Sequence, residues 1–515
     1  MHRFGKRFSP VLFKLTTVFL SVFLTHAGWA DQVYLDGQLR VSGFVRLQTA
    51  VNTSGDPNPA NAALGVESEP DLNLFRLWSV LDLDYVRKPK NNSFFDEVRW
   101  FGRMRFIYDG TQDISSGVSP YNAFPNTDAF KDDWTLARAA SDTVAAELWE
   151  GFVDLRRDSL WMRLGRQNIV WGEADAVRLL DVVNPLDNSW HPFEGGGEVF
   201  DHTRVPLWMA RATYDLKRGY SIDAFVNPGD FVPTNNADVG APWNVNPLPR
   251  DGHGNVPPGT FLVSDDTDDW RGEWQGGIRL LGSISTNFNY TLNYLSLIDA
   301  DGVIETIGVK PIFAPPPAPP GPPVAVLPIL AQTHSRVDMV GASFNTSVDS
   351  LALVIRGEVL YAFDKQFARS APPRNPPQFS LGTEGRDEYK VLIGFDRPTF
   401  VFNKTQTLNI SGQVIYTHRE SGPIAIDING APARLDETLV TLTLSQLFRG
   451  GQFTADLLMV YDTDDAYWIQ PQLRWQPDNH WRVWAYYNLF GGDEKRSFGV
   501  FDHMDELNLA ISYQF

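Results

Sequence analysis

The chain has no cysteine at all. That excludes a disulfide framework, a thiolate metal site and a lipidated N-terminal cysteine. No run of about 20 apolar residues occurs, so a membrane-spanning helix is not expected. Basic residues are outnumbered, 44 lysines and arginines against 62 aspartates and glutamates, giving a net charge of -18. This balance argues against nucleic acid as a partner. The motifs of common enzymes are missing too, with no Gly-x-Ser-x-Gly elbow, His-Glu-x-x-His helix or phosphate-binding P-loop.

What is present begins with a leader. Arg3, Lys6, Arg7 and Lys14 form a basic stretch, Leu15 to Leu24 an apolar one, and Gly28-Trp29-Ala30 a small-x-small cleavage site. Residues 1–30 are expected to be a signal peptide for Sec-type export, with the mature chain starting near Asp31. Its loss removes four basic and no acidic residues, so -18 becomes -22.

Beyond the leader the dominant signal has period two. From 35 to 51 the odd positions read Leu35, Gly37, Leu39, Val41, Gly43, Val45, Leu47, Thr49, Val51, and the even ones Asp36, Gln38, Arg40, Ser42, Phe44, Arg46, Gln48. One face is apolar and the other polar. The same alternation recurs at 98–109, 208–216, 351–364 and 507–515. Many such strands, with tryptophan and tyrosine near their ends, imply lipid outside and water inside.

The pattern predicts strands near 34–51, 72–86, 97–109, 147–156, 159–167, 207–216, 219–227, 273–282, 284–298, 335–346, 350–364, 387–397, 404–418, 437–447, 451–461, 467–475, 481–490 and 504–515. The connections alternate between long and short, which puts long loops outside, short turns inside and both termini on the periplasmic side. The expected fold is therefore all-β, a transmembrane antiparallel β-barrel of about 18 strands, with 16 as the alternative, in a single unit from 31 to 515. Only a closed sheet leaves no unpaired edge in hydrocarbon. Trp78, Trp100, Trp149, Trp161, Trp274, Trp468, Trp475, Trp481 and Trp484 are expected to supply interfacial girdles. The proline run 315–323 cannot pair in a sheet and is placed in an outer loop, 299–334.

Charge on the inner face carries both signs. Arg40, Arg46, Arg99, Arg103, Arg105, Arg163, Arg211 and Arg356 oppose Asp82, Asp84, Glu150, Asp154, Asp223 and Glu358. Two readings follow: a hydrated lumen whose charges pair across strands, or a basic side favouring anionic or carboxylated solutes. A barrel this wide is an aqueous channel unless something fills it. The connection 168–206 is the expected filler, holding a short helix from Ala174 to Val183 on which Glu173 or Asp175 pairs with Arg178. Its constriction residues would be Arg166, Gln167, Glu173, Asp175, Arg178, Asp181 and Asp187. The alternative is a surface loop held by its own salt bridges.

Other clusters carry weaker chemistry. Asp265-Asp266-Thr267-Asp268-Asp269 and Asp462-Thr463-Asp464-Asp465 offer hard oxygens, but neither has calcium-loop spacing, so solvated tips are expected and no metal site. The pairs Asp201-His202 and Asp502-His503 are the residues on which an outer-membrane hydrolase would rest; an enzyme and a cofactor are not expected.

Leu164-Gly165-Arg166-Gln167, Trp171-Gly172-Glu173-Ala174-Asp175, Arg178, Asp181 and Asn184-Pro185-x-Asp187 resemble the signature of an uncharacterised family of proteobacterial outer-membrane proteins, found near transporters of the resistance-nodulation-division superfamily. The last residue, Phe515, resembles the signal read by the barrel assembly machinery. The resemblance implies a porin-like barrel in the outer membrane, in contact with lipid and lipopolysaccharide. The expected function is a channel for small hydrophobic or carboxylated solutes. A non-conducting partner of a resistance-nodulation-division export system is the alternative.

Overall fold

In a computed structural model, described for residues 32–515 except 64, 90–92, 125–137, 176, 190, 195–201, 217–218, 246–261, 266, 313–324, 370–381, 403–404, 421–433 and 494–495, eighteen long strands form the wall. They are β1 (Leu39–Asn52), β2 (Leu72–Arg87), β3 (Glu97–Asp109), β4 (Val144–Arg157), β5 (Leu160–Gln167), β6 (Leu207–Leu216), β7 (Tyr220–Asn227), β8 (Gln275–Ser285) and β9 (Phe288–Ile298). The second half comprises β10 (Arg336–Val348), β11 (Leu353–Ala368), β12 (Thr383–Thr399), β13 (Leu408–Arg419), β14 (Asp436–Phe448), β15 (Phe453–Asp462), β16 (Ala466–Trp475), β17 (Trp481–Gly492) and β18 (Glu506–Gln514). Each pairs antiparallel with its sequence neighbours. The last pairs with the first, from Phe44↔Gln514 to Asn52↔Glu506, so the sheet closes.

Phe515 extends this seam. Its N–H donates to the Gly43 carbonyl at 3.0 Å, and the Gly43 N–H donates back at 2.9 Å. All eighteen expected strands are present, and the fold is the expected closed barrel. Connections after even-numbered strands are short, such as 158–159 and 286–287, whereas those after odd-numbered strands are mostly long; 463–465 is the short exception. We call the two rims the turn end and the loop end.

Face assignment follows from alternation. Along β18, Leu507, Leu509 and Ile511 are 39–46% exposed, while Glu506, Asn508 and Ser512 are fully buried. An apolar surface turned outward and a polar one turned inward is the arrangement lipid demands. Among the girdle tryptophans, Trp100, Trp274, Trp475 and Trp481 are exposed, but Trp78, Trp149, Trp468 and Trp484 are buried inside. For Trp149 the cause is local: the β3–β4 register shifts between Arg103 and Met104, and this bulge reverses the face of the residues beyond it.

Two features depart from expectation. Residues 35–38 form a turn, with positive φ at Leu35, Asp36 and Gly37, so β1 starts at Leu39 and Gln32–Tyr34 folds back onto it. Three further strands, Leu262–Asp265, Val303–Ile312 and Ala325–Thr333, make a separate small sheet at the loop end. The leader and the proline run 315–323 lie outside the described residues.

Candidate functional site

The segment between β5 and β6 leaves the wall through glycine geometry. Gly165 has φ +133, and a Cβ there would lie 2.3 Å from the Gly151 carbonyl oxygen, so only glycine fits. The bend turns both Arg166 and Gln167 into buried positions. Arg166 Nε donates to the Trp149 carbonyl at 3.1 Å, and Gln167 Nε2 to that of Met209 at 2.9 Å.

Asn184 then clamps both ends of the segment. Its Oδ1 accepts from the Ile169 N–H at 2.8 Å, and its Nδ2 donates to the Val205 carbonyl at 2.8 Å. Asp181 takes Arg204 at 2.6 Å and Arg178 at 3.4 Å. Asp187 Oδ1 accepts from Asn235 Nδ2 at 2.9 Å. These buried contacts staple the segment to itself and to its neighbours. Burial also lowers the Arg178 guanidinium from its usual value, against the pull of Asp181.

Between the staples the chain runs out and returns. A Cβ on Gly172 would meet the Asp181 nitrogen at 2.9 Å, so the two arms of this excursion touch at that point. Its tip bonds to inner-face side chains of β10, β11 and β13. Asn345 donates to the Glu173 carboxylate at 3.1 Å, and Gln413 Nε2 to Asp175 at 3.0 Å. Arg356 pairs with Asp175 at 2.5 Å and with Asp396 at 2.8 Å. Arg356 is the fourth residue of β11 from its turn end, so the tip descends most of the wall's height.

Among the described residues from Ala174 to Val183 the expected helix is absent. The Leu180 N–H, which a helix over 174–183 would give to the carbonyl four residues back, donates to Glu358 instead, so that turn cannot close. The Glu173 and Asp175 N–H groups, which a first helical turn leaves free, are taken by Glu358 and Gln413. The expected Glu173–Arg178 and Asp175–Arg178 pairs are replaced by Glu173–Asn345, Asp175–Arg356 and Arg178–Asp181. Leu179, Leu180 and Val183 join Trp171 and the inner-face residues Leu295, Met339, Leu360 and Ile415 in one apolar cluster.

A second lobe crosses to the other side of the barrel. His191 Nε2 lies 2.8 Å from Glu506 Oε1, both fully buried. Phe193 packs with Trp468, Phe490 and Trp243. The described parts of the segment therefore touch the inner wall from β7 to β13 and again from β15 to β18.

The inner arginines expected to make a basic side are neutralised in place. Arg99 pairs with Asp84 at 2.7 Å, Arg103 with Asp82 at 2.8 Å, Arg105 with Glu147 at 2.5 Å, Arg163 with Asp154 at 2.7 Å and Arg211 with Asp223 at 2.6 Å. Arg46 lies over the Trp78 and Trp484 rings at 4.7 and 4.4 Å. Arg40, near the turn end, is exposed. This is a lumen whose charges pair across strands, rather than one basic side.

Of the seven residues expected at a constriction, Arg166, Gln167, Asp181 and Asp187 are buried staples and Arg178 is largely enclosed, while Glu173 and Asp175 sit at the tip against the wall. Alternation already put Arg356 and Glu358 on the inner face, and the same parity holds for Asp396, Gln413 and Glu506 in their strands; Arg204, His191 and Phe193, in the connection, carried no local signal. Of the acidic clusters, Asp462 and Asp464 share Arg434, so a guanidinium stands where a cation was considered. No metal-binding group of three or more ligands occurs among the described residues. The His202 ring stacks edge-on to Trp78 at 4.6 Å, and Asp201 lies outside the described residues. His503 is buried in a short 3-10 helix, Gly499–Met504.

The barrel is similar overall to several solved structures. OccAB4 of Acinetobacter baumannii is 9% identical over 93% of this chain and 98% of its own, with a TM-score of 0.46. OccK9 (OpdG) of Pseudomonas aeruginosa is 10% identical over 94% and 99%, with a TM-score of 0.46. OprB of Pseudomonas putida is 11% identical over 93% and 95%, with a TM-score of 0.41. Among curated proteins no relative is found. The family model described as "Protein of unknown function (DUF1302)" matches residues 29–515, nearly the whole barrel with its inward segment, and the chain belongs to that family.

Proposed function

We propose that the protein is an outer-membrane channel for small solutes, narrowed from within by residues 168–206. The observation that carries this reading is the closed eighteen-stranded wall, apolar outside and polar inside, whose β5–β6 connection bonds to both sides of its interior. A barrel of this strand number leaves an aqueous lumen unless it is filled, and a filler of this size restricts passage to small molecules. In this reading Glu173, Asp175 and Arg356 edge the narrow part. Phe515, paired at the seam, serves as the terminal mark for assembly.

The pairing of the inner arginines speaks against carboxylate selection, since Arg99, Arg103, Arg105, Arg163 and Arg211 each have an acidic partner and Arg46 lies over aromatic faces. Of the two expected solute classes, the hydrophobic one is therefore preferred. Partnership with a resistance-nodulation-division exporter and hydrolysis are supported by no specific contact among the described residues.

Swelling of proteoliposomes in neutral sugars of increasing size tests the channel. Permeation of small sugars with a sharp upper size limit is expected. Absence of swelling with every sugar overturns the reading.

A further inference from the structure

The inner wall between β3 and β6 carries aromatic rings that a hydrated lumen does not require. Phe101 of β3 and Phe152 of β4 are direct cross-strand partners on the polar face, and their rings stack at 5.0 Å with planes 27° apart. Trp161 of β5 lies on the same face.

Three arginines complete a row with these rings. Arg211 lies over the Trp161 ring at 5.5 Å, Arg163 over Trp161 at 5.1 Å and over Phe152 at 3.6 Å, and Arg99 over Phe101 at 5.4 Å. Cations and rings thus run side by side from β6 through β5 and β4 to β3.

Charge alone would break such a row. Arg163 and Arg211 are directly opposed, and like charges so placed repel. Each arginine is instead gripped by two bonds to one aspartate: Arg99 to Asp84 at 2.7 and 2.9 Å, Arg163 to Asp154 at 2.7 and 2.9 Å, Arg211 to Asp223 at 2.9 and 2.6 Å. The fork geometry fixes the plane of each guanidinium, and the aspartate cancels its charge. What results is a flat, polarisable face with no net charge. It is open to the lumen, since Arg99, Arg163 and Arg211 keep 31%, 19% and 17% of their side chains exposed and Phe101 and Trp161 are half-buried. Ion pairs would brace these strands without any ring between them.

We infer that this row is a stacking surface for a planar, uncharged aromatic solute inside the lumen. A ring laid along it meets guanidinium or aromatic faces throughout. An anion meets an aspartate beside each arginine, and a cation meets the arginines themselves. A saturated ring of equal size has no π face to offer. The inference deepens the channel reading by naming its solute class, and it rests on that reading.

Blockade of ion current through the full chain in planar bilayers tests it. The probes are benzamide, its saturated counterpart cyclohexanecarboxamide, and benzoate. We expect benzamide to half-block the current at a concentration about fivefold below that of cyclohexanecarboxamide, and benzoate to block no better than benzamide. Phe101→Leu removes a ring and keeps an apolar side chain; Arg99→Lys keeps the charge beside Asp84 and removes the flat face. In assembled barrels of either variant, the two rings should block alike.

Equal blockade by both rings in the parent overturns the stacking surface and leaves the channel standing. So does a preference for benzamide that survives both substitutions, or a stronger blockade by benzoate, which would make the arginines anion sites. Absence of any ion current removes the channel reading instead. The row is then tested by saturation-transfer NMR of benzamide with the detergent-solubilised protein: a signal lost in Arg99→Lys keeps the stacking surface, and an unchanged signal overturns it.

Discussion

Arg356 of β11 and Asp175 of the inward segment meet at 2.5 Å, although 181 positions separate them in sequence. The pair joins the tip of the segment to the far wall. Asp175 is 48% exposed, so water screens the attraction, and such a pair contributes at most about 1 kcal/mol. Asp175→Asn should therefore shift the tip between attached and detached states by up to roughly fivefold. Single-channel recording should show a larger share of time in a higher-conducting level.

Asn184 is a different kind of anchor, because it is wholly buried and serves backbone groups at residues 169 and 205. Removing its amide leaves buried donors and acceptors unmet, at about 1–3 kcal/mol. For Asn184→Ala we predict faster hydrogen exchange and tryptic cleavage within 168–206, with the thermal transition of the wall unchanged.

The lipid-facing assignment can be tested on β18. Leu509 is 46% exposed on the outward face and lies beside Thr49 and Ala485. Leu509→Arg should cost about 2–4 kcal/mol near the bilayer midplane and reduce assembly, as seen by heat-modifiable gel mobility, whereas Leu509→Val should assemble normally.

Acid should loosen the connection 493–505. Burial depresses His503 from 6.5 to about 4, so its contribution to stability is present above pH 6.5 and is lost as the pH falls toward 4. Burial raises Asp505 from 3.8 to about 6, which works the other way: that contribution is full below 3.8 and is lost as the pH rises through 6. The protection of amides 499–504 against hydrogen exchange, taken relative to the intrinsic rate at each pH, should fall less from pH 7 to 4 in His503→Gln than in the parent. In Asp505→Asn it should fall more, because the opposing proton-linked stabilisation is gone.

Much of the architecture was legible because a period of two is a strong signal repeated eighteen times, and because long and short connections must alternate in a barrel. What depended on parity was less secure. Gly165 and the bulge near Trp149 each reverse the facing of the residues beyond them, and no local pattern announces either. The Ala174–Val183 spacing suits a helix, but Glu358, far along the chain, takes the Leu180 N–H that a helical turn would use. The strands Val303–Ile312 and Ala325–Thr333 were hidden by the prolines in and between them. The motif from Arg166 to Asp187 does mark the inward segment, yet most of its charges serve as staples, and the wall residues opposite its tip come from distant strands.

The central claim is that residues 168–206 narrow an otherwise open lumen. Because Gly172 and Asp181 lie against each other, residues 173–180 can be removed and the two joined with little displacement. Planar-bilayer recording of that variant, assembled alongside the full chain, is the most direct test. A unit conductance several-fold above that of the full chain is predicted. Equal conductance, or a deletion barrel that assembles and passes no current, would contradict the account.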